Sequence, residues 1–157
     1  MRQKKEDLLF KKYPLLLSRD QRAMQWGFGC GDGWLDLIDK LCWVIQHHVD
    51  LNNATGEFSK FTPKEPVPQP VVEQIKEKFG GLRFYMRNAD GYSTGASAMA
   101  EAISFRTCEE CGASGYPLRE GRIRTLCGKH HIDRNERMQR VQEKWQEIPT
   151  ITKGDRT

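Results

Sequence analysis

Long apolar segments are missing from this sequence. No stretch approaches the about 20 consecutive apolar residues that a membrane-spanning helix requires. The opening segment, MRQKKEDLLFKKYPLLLSRD, is interrupted by Lys11 and Lys12, and no small-residue cleavage site follows it, so it does not match a signal peptide. We therefore expect a soluble, cytoplasmic protein with no membrane partner.

The apolar content is low, and the net charge is small. Hydrophobic residues make up 38% of the 157-residue chain, and the mean hydropathy is −0.70. These values predict a compact domain with a modest core. The chain has 25 basic and 21 acidic residues, a net charge of +4. Charge by itself therefore argues only weakly for nucleic-acid binding.

The chain has only five cysteines, and most of them are clustered. Three of the five cysteines lie in the segment TCEECGASGYPLREGRIRTLCGKHH, residues 107–131. Disulfides are rare in a reducing compartment, so clustered cysteines indicate a metal site first. The pattern is C-x2-C-x15-C-x2-H, formed by Cys108, Cys111, Cys127 and His130. Three thiolates and one imidazole complete a tetrahedral shell, which predicts one structural Zn²⁺.

Two alternatives remain open at this cluster. His131 is adjacent to His130 and could be the fourth ligand, although His130 matches the spacing of the first half. A catalytic zinc would keep one position open for water, whereas four candidate ligands close the shell. The fifteen-residue insert 112–126 is expected to form a small hairpin that returns the second half to the first, giving a zinc ribbon.

The rest of the chain predicts an α+β fold. Apolar spacing indicates a helix over 34–49, and alternation after the Gly80–Gly81 turn indicates a strand. Before the turn, Val71, Ile75 and Phe79 suit either a helix or one face of a strand, and we favour a β-hairpin. We expect short N-terminal helices with Trp26 packed inward, a loop at ADGYSTG and a helix from Ala96 to Arg106. The expected organisation is a helical and hairpin region at 1–106 with a proline-rich loop at 52–70, a zinc ribbon at 107–131, and a polar helix and frayed tail at 132–157.

The glycine-rich segment GFGCGDGW, residues 27–34, raises the question of a phosphate-binding loop. No Lys-Ser or Lys-Thr pair follows it and no strand clearly precedes it, so the phosphate-loop patterns fail. We expect instead that Asp32 or Gly33 caps the helix that begins at Trp34, with Asp36 in its first turn.

Six residues are candidates for macromolecular binding. Arginine and aromatic side chains on one strand face suit stacking and phosphate contact, and basic residues on a zinc ribbon can meet nucleic acid or protein. An ordinary solvated surface explains the same residues. The candidates are Arg83, Tyr85, Arg87, Arg122, Arg124 and Lys129.

The segment TLCGKHHIDR is similar to the end of an HNH nuclease, in which a zinc knuckle frames a catalytic histidine. That histidine lies between the two knuckles and is often paired with aspartate. The insert 112–126 contains neither His nor Asp, so His131 would have to act alone.

The segments CGDGWLDLID, QIKEKFGGLRFYMRN, CEECGASG and IRTLCGKHH together resemble a group of small zinc-ribbon proteins encoded by phages and prophages, over about residues 28–131. The resemblance implies a phage accessory protein that acts in the bacterial host cytoplasm and binds a host factor. We therefore expect a non-enzymatic protein that binds a host macromolecule, most simply a protein. The alternatives are a nucleic-acid or nucleotide binder and, less favoured, an HNH-like nuclease.

Overall fold

The structure is a computed structural model that describes residues 2–54, 66–119 and 121–146. The central part of the predicted proline-rich loop and the predicted frayed tail lie outside these residues. The described elements are α1 (Arg2–Lys12), a 3-10 turn (Asp32–Trp34), α2 (Leu35–Asn53), β1 (Val71–Lys78), β2 (Gly81–Arg87), α3 (Gly91–Ser104), β3 (Tyr116–Leu118), β4 (Arg124–Leu126) and α4 (Gly128–Gln146).

These elements form an α+β protein with two antiparallel hairpins, β1–β2 and β3–β4. The chain divides into two compact units, Met1–Cys127 and Gly128–Thr157. The helix α4 is the described part of the second unit. No described helix is long and apolar enough to cross a membrane.

The core of the first unit lies between α2 and the β1–β2 hairpin. Ile38 and Ile45 of α2 are fully buried, as are Val72 and Ile75 of β1. The predicted hairpin is confirmed: Ile75 pairs with Phe84, and the strands join at the expected glycine turn. Burying this apolar face stabilises the unit by roughly 25 cal/mol per Å² of apolar surface.

The predicted central helix is also confirmed, but the prediction of how it begins is wrong. Neither Asp32 nor Gly33 caps it; both lie inside the 3-10 turn, and no side-chain cap bond forms at Gly31 or Trp34. Asp36 does lie in the first turn of α2. The glycine-rich segment has a different structural role, which is its close contact with the backbone of Cys108, Glu109 and Gly112.

Trp26 is not packed inward. Its side chain is 91% exposed, while Met24 and Phe28 on either side of it are buried. Gly27 has a φ of +83°, which turns the chain between the two buried residues and leaves Trp26 on the outside.

Two helices begin earlier than the apolar pattern predicts. The segment ADGYSTG is not all loop, because α3 begins at Gly91, directly after Asp90. The Asp90 carboxylate accepts a hydrogen bond from the backbone N–H of Ser93 at 2.8 Å, which satisfies a helix N-terminus. The C-terminal helix begins at Gly128, so His130 lies in its first turn and not on a preceding loop.

Asp90 also joins α3 to α2. The His48 ring nitrogen Nε2 lies 2.7 Å from Asp90 Oδ2, and the His48 ring stacks on Tyr92 at 4.0 Å between centroids. Burial alone would raise the pKa of the Asp90 carboxyl, but the hydrogen bonds from Ser93 and His48 outweigh it, so the pKa is lowered. A carboxyl with a lowered pKa stabilises the fold above its unfolded pKa, and this contribution is lost as the pH falls through the folded pKa.

Replacing Asp90 tests this junction. Asp90→Ala is expected to lower the free energy of unfolding by about 1–2 kcal/mol, because the helix cap is lost. Asp90→Asn keeps a capping oxygen but loses the charge that faces His48, so its loss is expected to be smaller. In urea unfolding, the advantage of the wild type over Asp90→Asn should shrink below pH about 4, near the unfolded pKa of aspartate. Equal unfolding midpoints for all three proteins at pH 7 would contradict this account.

Candidate metal centre

The first two cysteines lie on a tight turn. The Cys108 N–H donates to the Ala113 carbonyl at 2.7 Å, and the Gly112 N–H donates to the Cys108 carbonyl at 2.9 Å. Gly112 has a backbone φ of +77°, which residues other than glycine rarely adopt. The turn brings the Cys108 and Cys111 side chains to the same side of the backbone.

The insert between the two ligand pairs forms the predicted hairpin. Tyr116 pairs with Leu126, and the strands are antiparallel. The Glu109 N–H donates to the Thr125 carbonyl at 2.9 Å, which ties the cysteine turn directly to β4. Cys127 follows β4, so the hairpin returns the third cysteine to the first two.

Cys108, Cys111, Cys127 and His130 lie close together and could hold a metal ion. One ligand atom from each lies within 4.8 Å of the other three. The Sγ atoms of Cys111 and Cys127 are 3.9 Å apart. A tetrahedral centre with a Zn–S distance of about 2.3 Å separates its sulfur atoms by about 3.8 Å. His131 is not part of this group; its Nε2 lies 3.1 Å from the Asn135 side-chain amide.

The cysteines of this group are not joined by disulfide bonds. None of the five cysteines is in a disulfide, and 3.9 Å is far beyond the about 2.05 Å of a disulfide bond. The Ala113 N–H lowers the pKa of the Cys111 thiol, but burial and the neighbouring Cys108 and Cys127 outweigh it, so the pKa is raised. Crowded thiolates repel one another, and a bound cation removes that repulsion.

The glycine-rich segment packs against this turn. A methyl group built on Gly33 would overlap the backbone of Cys108 and Gly112 and would lie 2.6 Å from the Cys111 nitrogen. A methyl group on Gly31 would overlap the Glu109 carbonyl. The glycines are therefore required because two backbone segments meet without room for side chains.

Hydrogen bonds join the same two segments. The Gly33 N–H donates to the Glu109 carbonyl at 2.8 Å, and the Gly31 N–H donates to Glu109 Oε1 at 3.0 Å. The Trp34 indole N–H donates to the Thr107 carbonyl at 2.8 Å. Trp34 is fully buried in the core and directly precedes α2. The cysteine turn is thus connected to the core helix by backbone and side-chain contacts.

Four of the six candidate binding residues are arginines. Three of the arginines contact carboxylates of the same chain: Arg83 pairs with Glu101, Arg122 with Glu77, and Arg124 with both Glu109 and Glu110. The other three candidates, Tyr85, Arg87 and Lys129, are exposed.

The sequence patterns did not identify the residues that support the candidate metal ligands. Glu109 and Thr125 are buried polar residues that hold the turn against the glycine segment and β4. The available signal was the density of glycine in GFGCGDGW, which predicts a close backbone approach as readily as a helix start. The second backbone lies more than 70 residues away, and local pattern cannot identify it.

Comparison of the chain with protein-family models, with curated protein sequences and with solved structures found no match in any of the three.

Paired histidine variants test the ligand set. His130→Ala removes a candidate ligand, so zinc affinity is expected to fall by more than the roughly 10–100-fold cost of losing an outer-shell partner. His131→Ala is the matched control and should keep one zinc per chain with affinity close to that of the wild type. Competition against a chromophoric chelator measures both affinities. If His131→Ala lost zinc affinity and His130→Ala did not, the assignment of His130 as the fourth ligand would be contradicted.

A glycine pair tests the backbone contact. Gly33→Ala forces the cysteine turn and the 3-10 turn apart, and such overpacking costs about 1–3 kcal/mol in free energy of unfolding. Gly95→Ala is the control, because its new methyl group meets nothing within 4 Å and lies in α3, where alanine is favoured. In urea unfolding of the two zinc-loaded variants, the midpoint should therefore fall for Gly33→Ala and rise for Gly95→Ala. Unchanged stability of Gly33→Ala would contradict the close contact.

Proposed function

We propose that this is a non-enzymatic binding protein in which a single structural Zn²⁺, held in a zinc-ribbon-like module, fixes the surface that meets a protein partner. The observation that carries the metal assignment is the convergence of three sulfur donors and one imidazole within 4.8 Å. Three soft sulfur ligands and one nitrogen suit zinc, and the four together fill a tetrahedral shell.

A structural role is supported by how the ligands are connected. Cys108 is fully buried, and its neighbour Glu109 contacts both the glycine segment and β4. A metal at this position would hold the turn, the β3–β4 hairpin and the start of α2 together. A closed shell leaves no position for a zinc-bound water, which hydrolytic chemistry would require.

A protein partner is favoured over nucleic acid. Three of the candidate arginines are already paired with carboxylates, which reduces the positive charge they can offer to phosphate. Large apolar side chains are exposed instead, among them Trp26 at 91% and Leu8 at 65%. Tryptophan is among the residues that contribute most to binding energy at protein interfaces. The resemblance to phage-encoded proteins leads us to propose that the partner is a host protein.

Chelation tests the structural role of the metal. Apparent zinc-binding energies of about 10–16 kcal/mol at sites of this kind match or exceed the about 5–15 kcal/mol total stability of a domain. Removing zinc with a strong chelator is therefore expected to abolish the near-UV circular dichroism that buried Trp34 contributes, and added zinc should restore it. A metal-free chain that keeps its near-UV spectrum and its unfolding midpoint would contradict a structural zinc.

Native mass spectrometry of the untagged protein, isolated gently from bacterial cells, tests the partner class. We expect one zinc and a host polypeptide that stays bound in high salt. Bound nucleic acid, with an affinity that falls steeply as salt rises, would favour the alternative. Cleavage of nucleic acid that depends on a divalent metal and on His131 would support the nuclease instead.

A further inference from the structure

We propose that a groove between α1 and the start of α2 is the docking site for an amphipathic helix of the partner protein. The inference rests on the proposed function as a protein-binding protein, and it adds the surface and the chemistry of the segment that binds there. The groove has a volume of about 380 Å³.

Two helices form the groove. Lys5, Leu8 and Lys12 lie on the α1 side, at helical spacings of three and four residues, so they follow one stripe. Asp36 and Asp39 lie on the α2 side. The apolar surface between the walls comes from Leu8, Leu9 and Leu35; Leu8 is 65% exposed, whereas Leu9 and Leu35 are buried.

One pair of charges across the groove is already matched. Lys12 Nζ lies 2.7 Å from Asp39 Oδ1, and the Tyr13 hydroxyl donates to the same oxygen at 2.7 Å. These contacts fix the relative position of the two walls. Within the described part of the chain, neither Lys5 nor Asp36 forms an ion pair, and both side chains are exposed.

The unmatched charges define the occupant. The α1 wall offers the Lys5 ammonium group and the exposed Leu8 side chain, and the α2 wall offers the Asp36 carboxylate. Charge complementarity therefore selects a segment with a large aliphatic side chain, an acidic residue toward Lys5 and a basic residue toward Asp36. A helix can present all three on one face at steps of three and four residues.

Other occupants fit less well. A second copy paired through this groove on a two-fold axis would place the same concave surface against itself, which leaves the groove unfilled. A nucleic acid or an anionic lipid surface would meet the carboxylates of Asp36 and Asp39 as well as the lysines. A convex helix face of mixed charge avoids both problems.

The test uses a displayed library of 16-residue helical peptides with one randomised face, selected on the zinc-loaded protein. Enriched peptides are expected to share a large aliphatic residue flanked, at helical spacing, by one acidic and one basic residue. Leu8→Asp should weaken the best peptide at least tenfold. Leu15→Asp is the matched control, since Leu15 is 63% exposed and does not line the groove, and it should change the affinity by less than twofold.

Charge reversal supplies a second readout. Lys5→Glu should weaken the selected peptide, and replacing the acidic residue of the peptide by lysine should recover the affinity. Enrichment of no peptide, or of peptides that bind Leu8→Asp as well as the wild type, would overturn the proposal. A dimer in sedimentation experiments that Leu8→Asp abolishes would also overturn it, because the occupant would then be a second copy.

Two controls separate this proposal from the proposed function. Zinc content and near-UV circular dichroism are measured on every variant, so a lost metal or a lost fold is not mistaken for a lost contact. A host polypeptide that Leu8→Asp retains in native mass spectrometry would place the interface elsewhere on the protein, overturning the groove while leaving the binding function intact.

Discussion

The contact between the cysteine turn and the glycine segment is the constraint on which the rest of the structure depends. Glu109 accepts the Gly33 N–H through its backbone carbonyl and the Gly31 N–H through its carboxylate, while its own N–H donates to Thr125. One residue thus joins the ligand turn, the β3–β4 hairpin and the entry to α2. Because both backbones approach so closely, the geometry of the ligands and the position of the core helix are determined together.

Because of this contact, a bound metal would stabilise the core as well as the ligand turn. A zinc module joined to a domain only by a linker folds by itself, and loss of its metal leaves the rest of the chain unaffected. Here the Trp34 indole bonds the Thr107 carbonyl and its ring occupies the core, so loss of the ligand turn would expose a large apolar side chain and leave polar groups unpaired. The same connection accounts for the glycine-rich segment without a phosphate ligand.

Local sequence patterns predicted those features that are determined by residues close together in sequence. Apolar periodicity identified α2, alternation and the glycine turn identified the β1–β2 hairpin, and ligand spacing identified the four residues that converge. The predictions that were wrong or missing concern features that depend on contacts between residues distant in sequence. Trp26 is exposed because Met24 and Phe28 occupy the core on either side of it. The backbone that Gly33 contacts lies more than 70 residues away in sequence, so no local pattern identifies it. The groove beside Leu8 exists only where two helices meet.

The central claim is that a single zinc holds three sulfur atoms and one nitrogen at this turn. X-ray absorption at the zinc K-edge of the purified protein tests it most directly, since it counts and distinguishes the ligands. We expect one zinc per chain, with three sulfur atoms at about 2.3 Å and one nitrogen at about 2.0–2.1 Å. A shell made only of oxygen and nitrogen atoms, or a chain purified without zinc that is still folded, would contradict it.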